Sequence, residues 1–372
     1  MYRQTTLKID LETIAYNYQQ IQKIIGAKVR IMAVIKANAY GHGDVEVARK
    51  LSLLGCQHFG VATIEEGVHL RRNGLKGSLY VLSGCGKAHV QTIEKYKLTP
   101  VLSSLELAWH FNTHLKKRIP VHIKIDTGMG RLGLHADKCL KAFVEMKKMN
   151  KLQIEGVMSH LGQSENFKSK RTRDQISTFK YLVRKIKVIL PQTPFYHIAN
   201  SGAVLHKLGV NYNMVRIGIA LYGGYPDSHE GHVHKVQLKP ALKLETSILA
   251  LKKFKKGSFI SYGETFKTKR EARIAVIPLG YADGWKRCLS NKGYVLIHGR
   301  RAPMVGTICM DLTMIDVTHI SGVRVGDPVV CLGEQGNEKI AASTVADWAK
   351  TINYEIFTSF TSRIPKLYLG GI

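Results

Sequence analysis

VIKANAYGHG, residues Val34 to Gly43, is the stretch from which the chain is best read. The five residues Ile31 to Ile35, IMAVI, are aliphatic and partly β-branched, the pattern of a buried strand. Lys36 ends that run, and a loop of small residues follows at once. In the loop, Asn38, Gly41 and Gly43 permit tight or positive-φ backbone. A lysine rarely ends a buried strand unless its amine is paired or chemically used. Desolvation lowers an amine's pKa and makes it a nucleophile or base near neutral pH. A lysine that merely snorkels out of the strand end gives the same pattern, so both readings stand here.

Outward from Lys36 the chain has a rhythm. Strand-like apolar runs occur at 29–37, 58–62, 78–83, 98–102, 120–126, 153–160, 195–199 and 214–217. Helical patterns separate most of them, as at 44–54, 105–117, 136–149 and 172–189. An N-terminal strand at 2–10 and an amphipathic helix at 11–25, capped by Asp10, precede them. Alternation of this kind predicts an α/β fold, a (β/α)8 TIM-type barrel. A doubly wound open sheet is the competitor, and it would need a ligand at a strand-order switch.

After Gly224 the character changes. Residues 225–239 are polar and histidine-rich and read as a linker. From Pro240 onward, short apolar runs punctuated by glycine and proline (242–251, 274–279, 294–297, 303–310, 314–317 and 328–332) predict a mainly β module. One helix, 343–352 with Ser343 as its cap, interrupts it. The expected domains are therefore a barrel over 11–235 and a C-terminal β domain over 236–372, joined by the strand at 1–10.

A 372-residue chain with 45% apolar residues has a real core. Its formal net charge of +28 raises the possibility of nucleic acid or a membrane surface. The lysines are spread along the chain, however, and their short clusters lack interleaved aromatics, which favours a basic solvated surface and no nucleic-acid partner. The six cysteines show no C-x-x-C and no metal-ligand spacing, so no metal is expected and the thiols read as reduced, mostly buried and cytoplasmic. No signal-like or membrane-spanning run is seen.

Polar residues gather at the C-terminal ends of the predicted strands, where barrel active sites lie. They are Lys36 and Tyr40, then Lys124, Asp126 and Arg131, then Ser159 and His160, then Asn200 and Ser201, and finally Arg216 and Gly218. Any one of these has a bland explanation: His160 as a core histidine, Ser201 as a plain helix cap. NSGAVLH and MVRIGIALYGG place small residues where strand turns to helix, so Ser201, Gly218 and Ile219 read as a phosphate cradle. A reactive lysine and a phosphate cradle in one barrel suggest pyridoxal 5′-phosphate held as a Schiff base.

The segments AVIKANAYGHG, IKIDTGMGRLG, SHLG, ANSGA, VRIGIALYG, ISYGETF, GYADG, VGTICMD and INYE together resemble the alanine racemase family, in the same order and over nearly the whole chain. The resemblance implies a pyridoxal-phosphate enzyme interconverting L- and D-alanine for cell-wall peptidoglycan. It implies a homodimer with shared active sites, in which Lys36 and Tyr262 are the two bases, Tyr262 coming from the other subunit. A phenol's ordinary pKa is about 10, so Tyr262 needs a nearby positive charge or donor to act at neutral pH. Arg216 would face the pyridine nitrogen and keep it unprotonated, with His160 orienting Arg216. Tyr40, Ser201, Gly218, Ile219 and Tyr354 would hold the phosphate, with Asn200 beside them. Arg131, the backbone N–H of Met310, and Asp311 would meet the substrate carboxylate, and Tyr281 would narrow the entrance. Lys124 matches a position that many members carry as a carbamate.

Three rivals remain. A decarboxylase or aldolase on the same cofactor would place an acid at the pyridine nitrogen. A non-catalytic pyridoxal-phosphate protein would lack Tyr262 in a β domain. A basic RNA- or DNA-binding protein is the third, and within the racemase reading serine or another small amino acid stays open as the substrate.

Overall fold

The structure, a computed structural model, describes residues 4–166, 168–226 and 236–371. Much of the expected linker, residues 227–235, and residues 1–3 and 372 lie outside the described residues. The described residues form two compact units, one of 15–221, 225–226 and 236–238, the other of 4–14, 222–224 and 239–371.

The first unit is the barrel. After β1 (Thr6–Asp10) and the helix Leu11–Ile25, its strands are β2 (Arg30–Val34), β3 (His58–Val61), β4 (Ser78–Val81), β5 (Thr99–Leu102), β6 (Ile119–Asp126), the two-residue β7 (Leu134–His135), β8 (Leu152–Met158), β9 (Phe195–His197) and β10 (Met214–Ile217). Eight of them run in the order β10-β2-β3-β4-β5-β6-β8-β9, every neighbouring pair parallel, with β7 beside β6. The β9–β10 seam is bridged by Arg216 N–H to Ala199 O at 3.0 Å and Tyr196 N–H to Asn213 Oδ1 at 3.0 Å. The helices between strands bury their apolar stripes, and several begin on a side-chain cap. Thr63 and Glu66 form a reciprocal capping box on Ile64–Arg72, and Ser104 and Ser169 cap the helices that follow them. Inside the barrel, Met32, Tyr80 and Met214 pack with Leu82 and Phe195. The Tyr80 ring lies 4.5 Å from that of His122. Gly156 on β8 has no side chain because a Cβ there would collide with the His122 ring.

The second unit contains β1, β11 (Leu242–Ser247), β12 (Ala250–Phe254), β13 (Ala272–Ile277), β14 (Tyr294–Ile297), β15 (Arg300–Pro303), β16 (Thr313–Asp316), β17 (Pro328–Gln335), β18 (Glu338–Ile340) and β19 (Lys366–Leu369). One sheet has the order β15-β14-β17-β11-β1-β19 with β18 on β17, and a second is β12-β13-β16. Among the described residues no helix is long and apolar enough to cross a membrane.

Several expectations are corrected. The run 242–251 is two strands in different sheets. At Ile248 the chain leaves β17, and Leu249 N–H bonds Val276 O on β13. The run 303–310 is largely loop, since Gly306 sits at φ 75° and interrupts the pleat. The expected helix 343–352 forms at Ala342–Ala349, its N-cap position is Ala341, and Ser343 is not the cap. Of the cysteines, three are buried and Cys288 is exposed.

Candidate active site

β2 ends at Val34, two residues before Lys36, so the strand is shorter than its apolar run suggests. Lys36 opens a short helical turn whose next four residues, Ala37 to Tyr40, all have φ between 51° and 54°. A left-handed turn of non-glycine residues costs about 1–2 kcal/mol per residue. It persists because its polar groups are bonded from several sides. Ala39 N–H bonds Ile35 O at 2.9 Å and Gly43 N–H bonds Asn38 O at 2.9 Å. The Asn38 side chain accepts from Asp44 N–H at 3.0 Å, and His42 Nδ1 lies 2.9 Å from Tyr40 O. Glu66 completes the clamp, its two oxygens accepting from Ala37 N–H and Ala62 N–H, each at 2.7 Å. Glu66 was not foreseen, although the Thr63-x-x-Glu66 spacing is a capping-box signal in the sequence. Burial, then the positive charge of Arg131, lowers the Lys36 pKa, and Glu66 opposes them.

Arg216, on β10, is held by five hydrogen bonds. Nη1 donates to His197 Nδ1 at 2.8 Å and His197 O at 3.3 Å. Nη2 lies 2.7 Å from Ser159 O, 3.1 Å from Ile198 O and 3.1 Å from His160 Nδ1. A guanidinium only donates, so both imidazoles must accept through Nδ1 and carry their hydrogen on Nε2. His197 Nε2 then donates to His122 Nδ1 at 3.0 Å. A chain of neutral imidazoles thus runs from Arg216 into the barrel. Burial first, then the Arg216 charge, holds His160 and His197 far below the ordinary imidazole pKa, and burial brings His122 to about 3. Burial, with Arg131 adding, takes Arg216 to about 9, so it stays charged at neutral pH. Among the described residues, the Nε–H of Arg216 has no acceptor.

Lys124 is buried near the end of β6, its pKa lowered to about 8 by burial, then by Arg131 and Arg216. Asp126 shapes the loop that carries Arg131, accepting from the N–H groups of Gly128, Met129, Gly130 and Arg131. Burial acts to raise the Asp126 carboxyl, and those donors outweigh it, leaving it below the usual range.

Asn200, not Ser201, is the N-cap of Ser201–Leu205, its side chain accepting from Ala203 N–H at 3.1 Å. The Ser201 hydroxyl accepts from Gly218 N–H at 3.1 Å and Ala220 N–H at 3.4 Å, so the Gly218 N–H is not bare as the sequence suggests. Gly218 cannot carry a side chain, since a Cβ would sit 2.5 Å from the Tyr40 hydroxyl. Ile219, next to it, is buried. Lys36, Tyr40, Lys124, Arg131, His160, Asn200, Ser201, Arg216, Gly218 and Ile219 therefore all belong to the barrel unit. The surplus of cationic and N–H donor groups there suits an anionic ligand.

The other five predicted residues belong to the second unit. Tyr262, 72% exposed, stands between Ser261 and Gly263, both at positive φ. Thr307 Oγ1 donates to Tyr262 O at 2.8 Å and Ser261 Oγ donates to Thr307 O at 2.5 Å, so the Tyr262 loop is laced to the loop that leads to Met310. Tyr281 N–H bonds Cys309 O at 3.1 Å and Ala282 N–H bonds Met310 O at 3.0 Å. In a trans peptide the C=O and N–H point opposite ways, so the bond to Cys309 O aims the Met310 N–H away from the Tyr281 turn. Asp311 follows it. Tyr354 lies in the helix Asn353–Ser359.

The chain matches the family described as alanine racemase, N-terminal domain, over residues 9–226, and alanine racemase, C-terminal domain, over residues 241–368. It is 40% identical over 373 residues to an alanine racemase of Halothermothrix orenii, covering 100% of this chain and 98% of that one. An alanine racemase structure from Bacillus anthracis with bound L-Ala-P superposes with a TM-score of 0.93 at 34% identity, over 100% of this chain and 96% of that one. One from Bartonella henselae with covalently bound pyridoxal phosphate gives 0.89 at 31% identity, over 98% and 99% of the two chains.

Proposed function

The chain belongs to the alanine racemase family and is an amino-acid racemase, and from there we propose that it interconverts L- and D-alanine with pyridoxal 5′-phosphate and two bases, Lys36 and Tyr262. The observation that carries the cofactor assignment is Arg216. Its four terminal N–H groups are committed to His160, His197 and three backbone carbonyls, which leaves Nε–H as a donor in search of an acceptor. An unprotonated pyridine nitrogen is such an acceptor. Arg216 would hold that nitrogen unprotonated, because a buried guanidinium does not give up its proton at neutral pH. The barrel cradle suits the rest: Tyr40, Ser201, Gly218 and Ile219 would hold the phosphate, with Asn200 beside them.

When bound, the cofactor draws electrons from the substrate Cα and makes its hydrogen acidic. The chain supplies the proton transfers. Lys36, whose amine is already lowered by burial and Arg131, would hold the cofactor and would move the proton on one face of Cα. Tyr262 moves it on the other. Its wide exposure on the second unit supports a second copy of the chain as the body it works against, hence a homodimer with shared sites. Arg131 and the Met310 N–H, with Asp311 next to it, receive the carboxylate, and Tyr281 limits the side chain to about a methyl. Lys124, with its lowered pKa, is a candidate for carbamylation beside Arg131. The physiological role is supply of D-alanine for peptidoglycan.

The test has two parts. Borohydride reduction followed by peptide mass spectrometry should leave the cofactor on Lys36. Expression of the gene should relieve the D-alanine requirement of a racemase-deficient bacterium, and neither result is expected from Lys36→Ala. A protein that binds no pyridoxal phosphate sinks the proposal.

A further inference from the structure

We propose that Arg363 is a positioning residue for the substrate-carboxylate site, fixing the Met310–Asp311 loop by bridging two carboxylates. The inference rests on the reading of the Met310 N–H given above. All its parts lie within the second unit.

The buried partner is Asp283, in the turn Tyr281–Asp283, with no exposed surface. Its Oδ2 accepts from Gly280 N–H at 3.0 Å, and its Oδ1 lies 3.3 Å from Arg363 Nε. The outer partner is Asp311, whose Oδ1 accepts from Arg363 Nη2 at 2.6 Å. Arg363 therefore donates a hydrogen bond to a loop residue with Nη2 while its Nε makes an ion-pair contact with the buried anchor. The anchor is rigid for a second reason: Thr361 N–H bonds Asp283 O at 3.1 Å and Thr361 Oγ1 donates to Ala282 O at 3.0 Å. Residues 361–363 are thus fastened to the very turn that carries Tyr281.

The loop has little else to hold its outer side. Cys309 N–H to Leu312 O closes it at 2.9 Å, and the Tyr281 and Ala282 N–H bonds fix the inner carbonyls. Met310 itself is 53% exposed. Freed from Arg363, the Asp311 side chain no longer ties the outer side of the loop to the Asp283 anchor, and the aim of the carboxylate-binding N–H rests on the Tyr281 and Ala282 bonds alone. That loss falls on substrate binding, because neither Lys36 nor Tyr262 belongs to this bridge.

The experiment compares Arg363→Met, Arg363→Lys, Asp311→Asn and the Arg363→Met/Asp311→Asn double variant as holoenzymes, with KM and kcat for both alanine enantiomers, cofactor content and thermal melting. Arg363→Met is expected to raise both KM values about tenfold, the scale of one lost charge-assisted hydrogen bond, with kcat changed by about threefold or less. Arg363→Lys should recover part of that, since a point charge cannot serve both carboxylates. The double variant should be no worse than Arg363→Met, because both changes cut one link. KM values within about twofold of wild type in both single variants overturn the inference, as does a double variant showing the product of the single losses, or a loss confined to kcat or cofactor content. If Arg363→Met fails to fold, Arg363→Lys and Asp311→Asn decide it. A wild-type protein that does not racemise alanine refutes the underlying function instead, which keeps the two failures apart.

Discussion

The imidazole chain beneath Arg216 makes acid sensitivity a direct reading of the site. His122 and His197 are fully buried, and each must be neutral for the chain to exist. Protonating His197 at Nδ1 would set an N–H against the Arg216 guanidinium. Their folded pKa values lie far below the unfolded value of about 6.5. For a histidine shifted down, the unfolded state binds the extra proton first. Stability is therefore full above pH about 6.5 and is lost as pH falls below it. Between pH 7.5 and 5.5 each residue forfeits about 1.4 kcal/mol, about 2.7 kcal/mol for the pair. Equilibrium urea unfolding at fixed protein concentration measures this, and His122→Gln separates the shares. The glutamine oxygen still accepts from His197 Nε2–H but does not titrate, so the variant should lose about 1.4 kcal/mol less than wild type over the same range. A wild-type loss below about 1 kcal/mol, or a variant as acid-sensitive as wild type, refutes the neutral-chain argument.

Two further outcomes follow from close contacts. Gly218→Ala puts a methyl 2.5 Å from the Tyr40 hydroxyl, on a residue already held in a left-handed turn. The apparent Kd for pyridoxal phosphate, by titration of cofactor-free protein, should rise about 10- to 100-fold, as expected from losing one or two polar contacts. An unchanged Kd would remove Tyr40 and Gly218 from the cradle. Glu66→Ala leaves Ala37 and Ala62 N–H groups without their acceptors. It should cost about 2 kcal/mol of stability and lower the melting temperature by several degrees, and a melt within 1 °C (roughly the error of the method) would show the clamp to be idle.

The barrel was legible because its strands are apolar runs separated by helical patterns, and Lys36 because a cation ends one of them. The left-handed turn was legible only in part. Asn38, Gly41 and Gly43 announce it, but Ala37, Ala39 and Tyr40 take positive φ with bonds to Glu66, Ile35 and His42 that exist only in the folded chain. His122 and His197 sit in strands buried on both faces, where alternation does not tell inside from outside. Only closure of the barrel sets them against each other and against Arg216. Arg363 is beyond sequence reading for a similar reason: its partners Asp283 and Asp311 lie far along the chain and are brought together by the second unit's fold. For Ser201 the bland alternative was a helix cap, and the residue before it takes that part.

The central claim, two bases on opposite faces of Cα, is tested most directly by racemising L-alanine in D2O. Early in the reaction the D-alanine formed should carry solvent deuterium at Cα while the remaining L-alanine keeps its protium, and Tyr262→Phe should slow turnover by about 10²- to 10⁴-fold, the usual worth of a positioned acid or base. Product that retains the substrate's protium, or a Tyr262→Phe enzyme as fast as wild type, would contradict it.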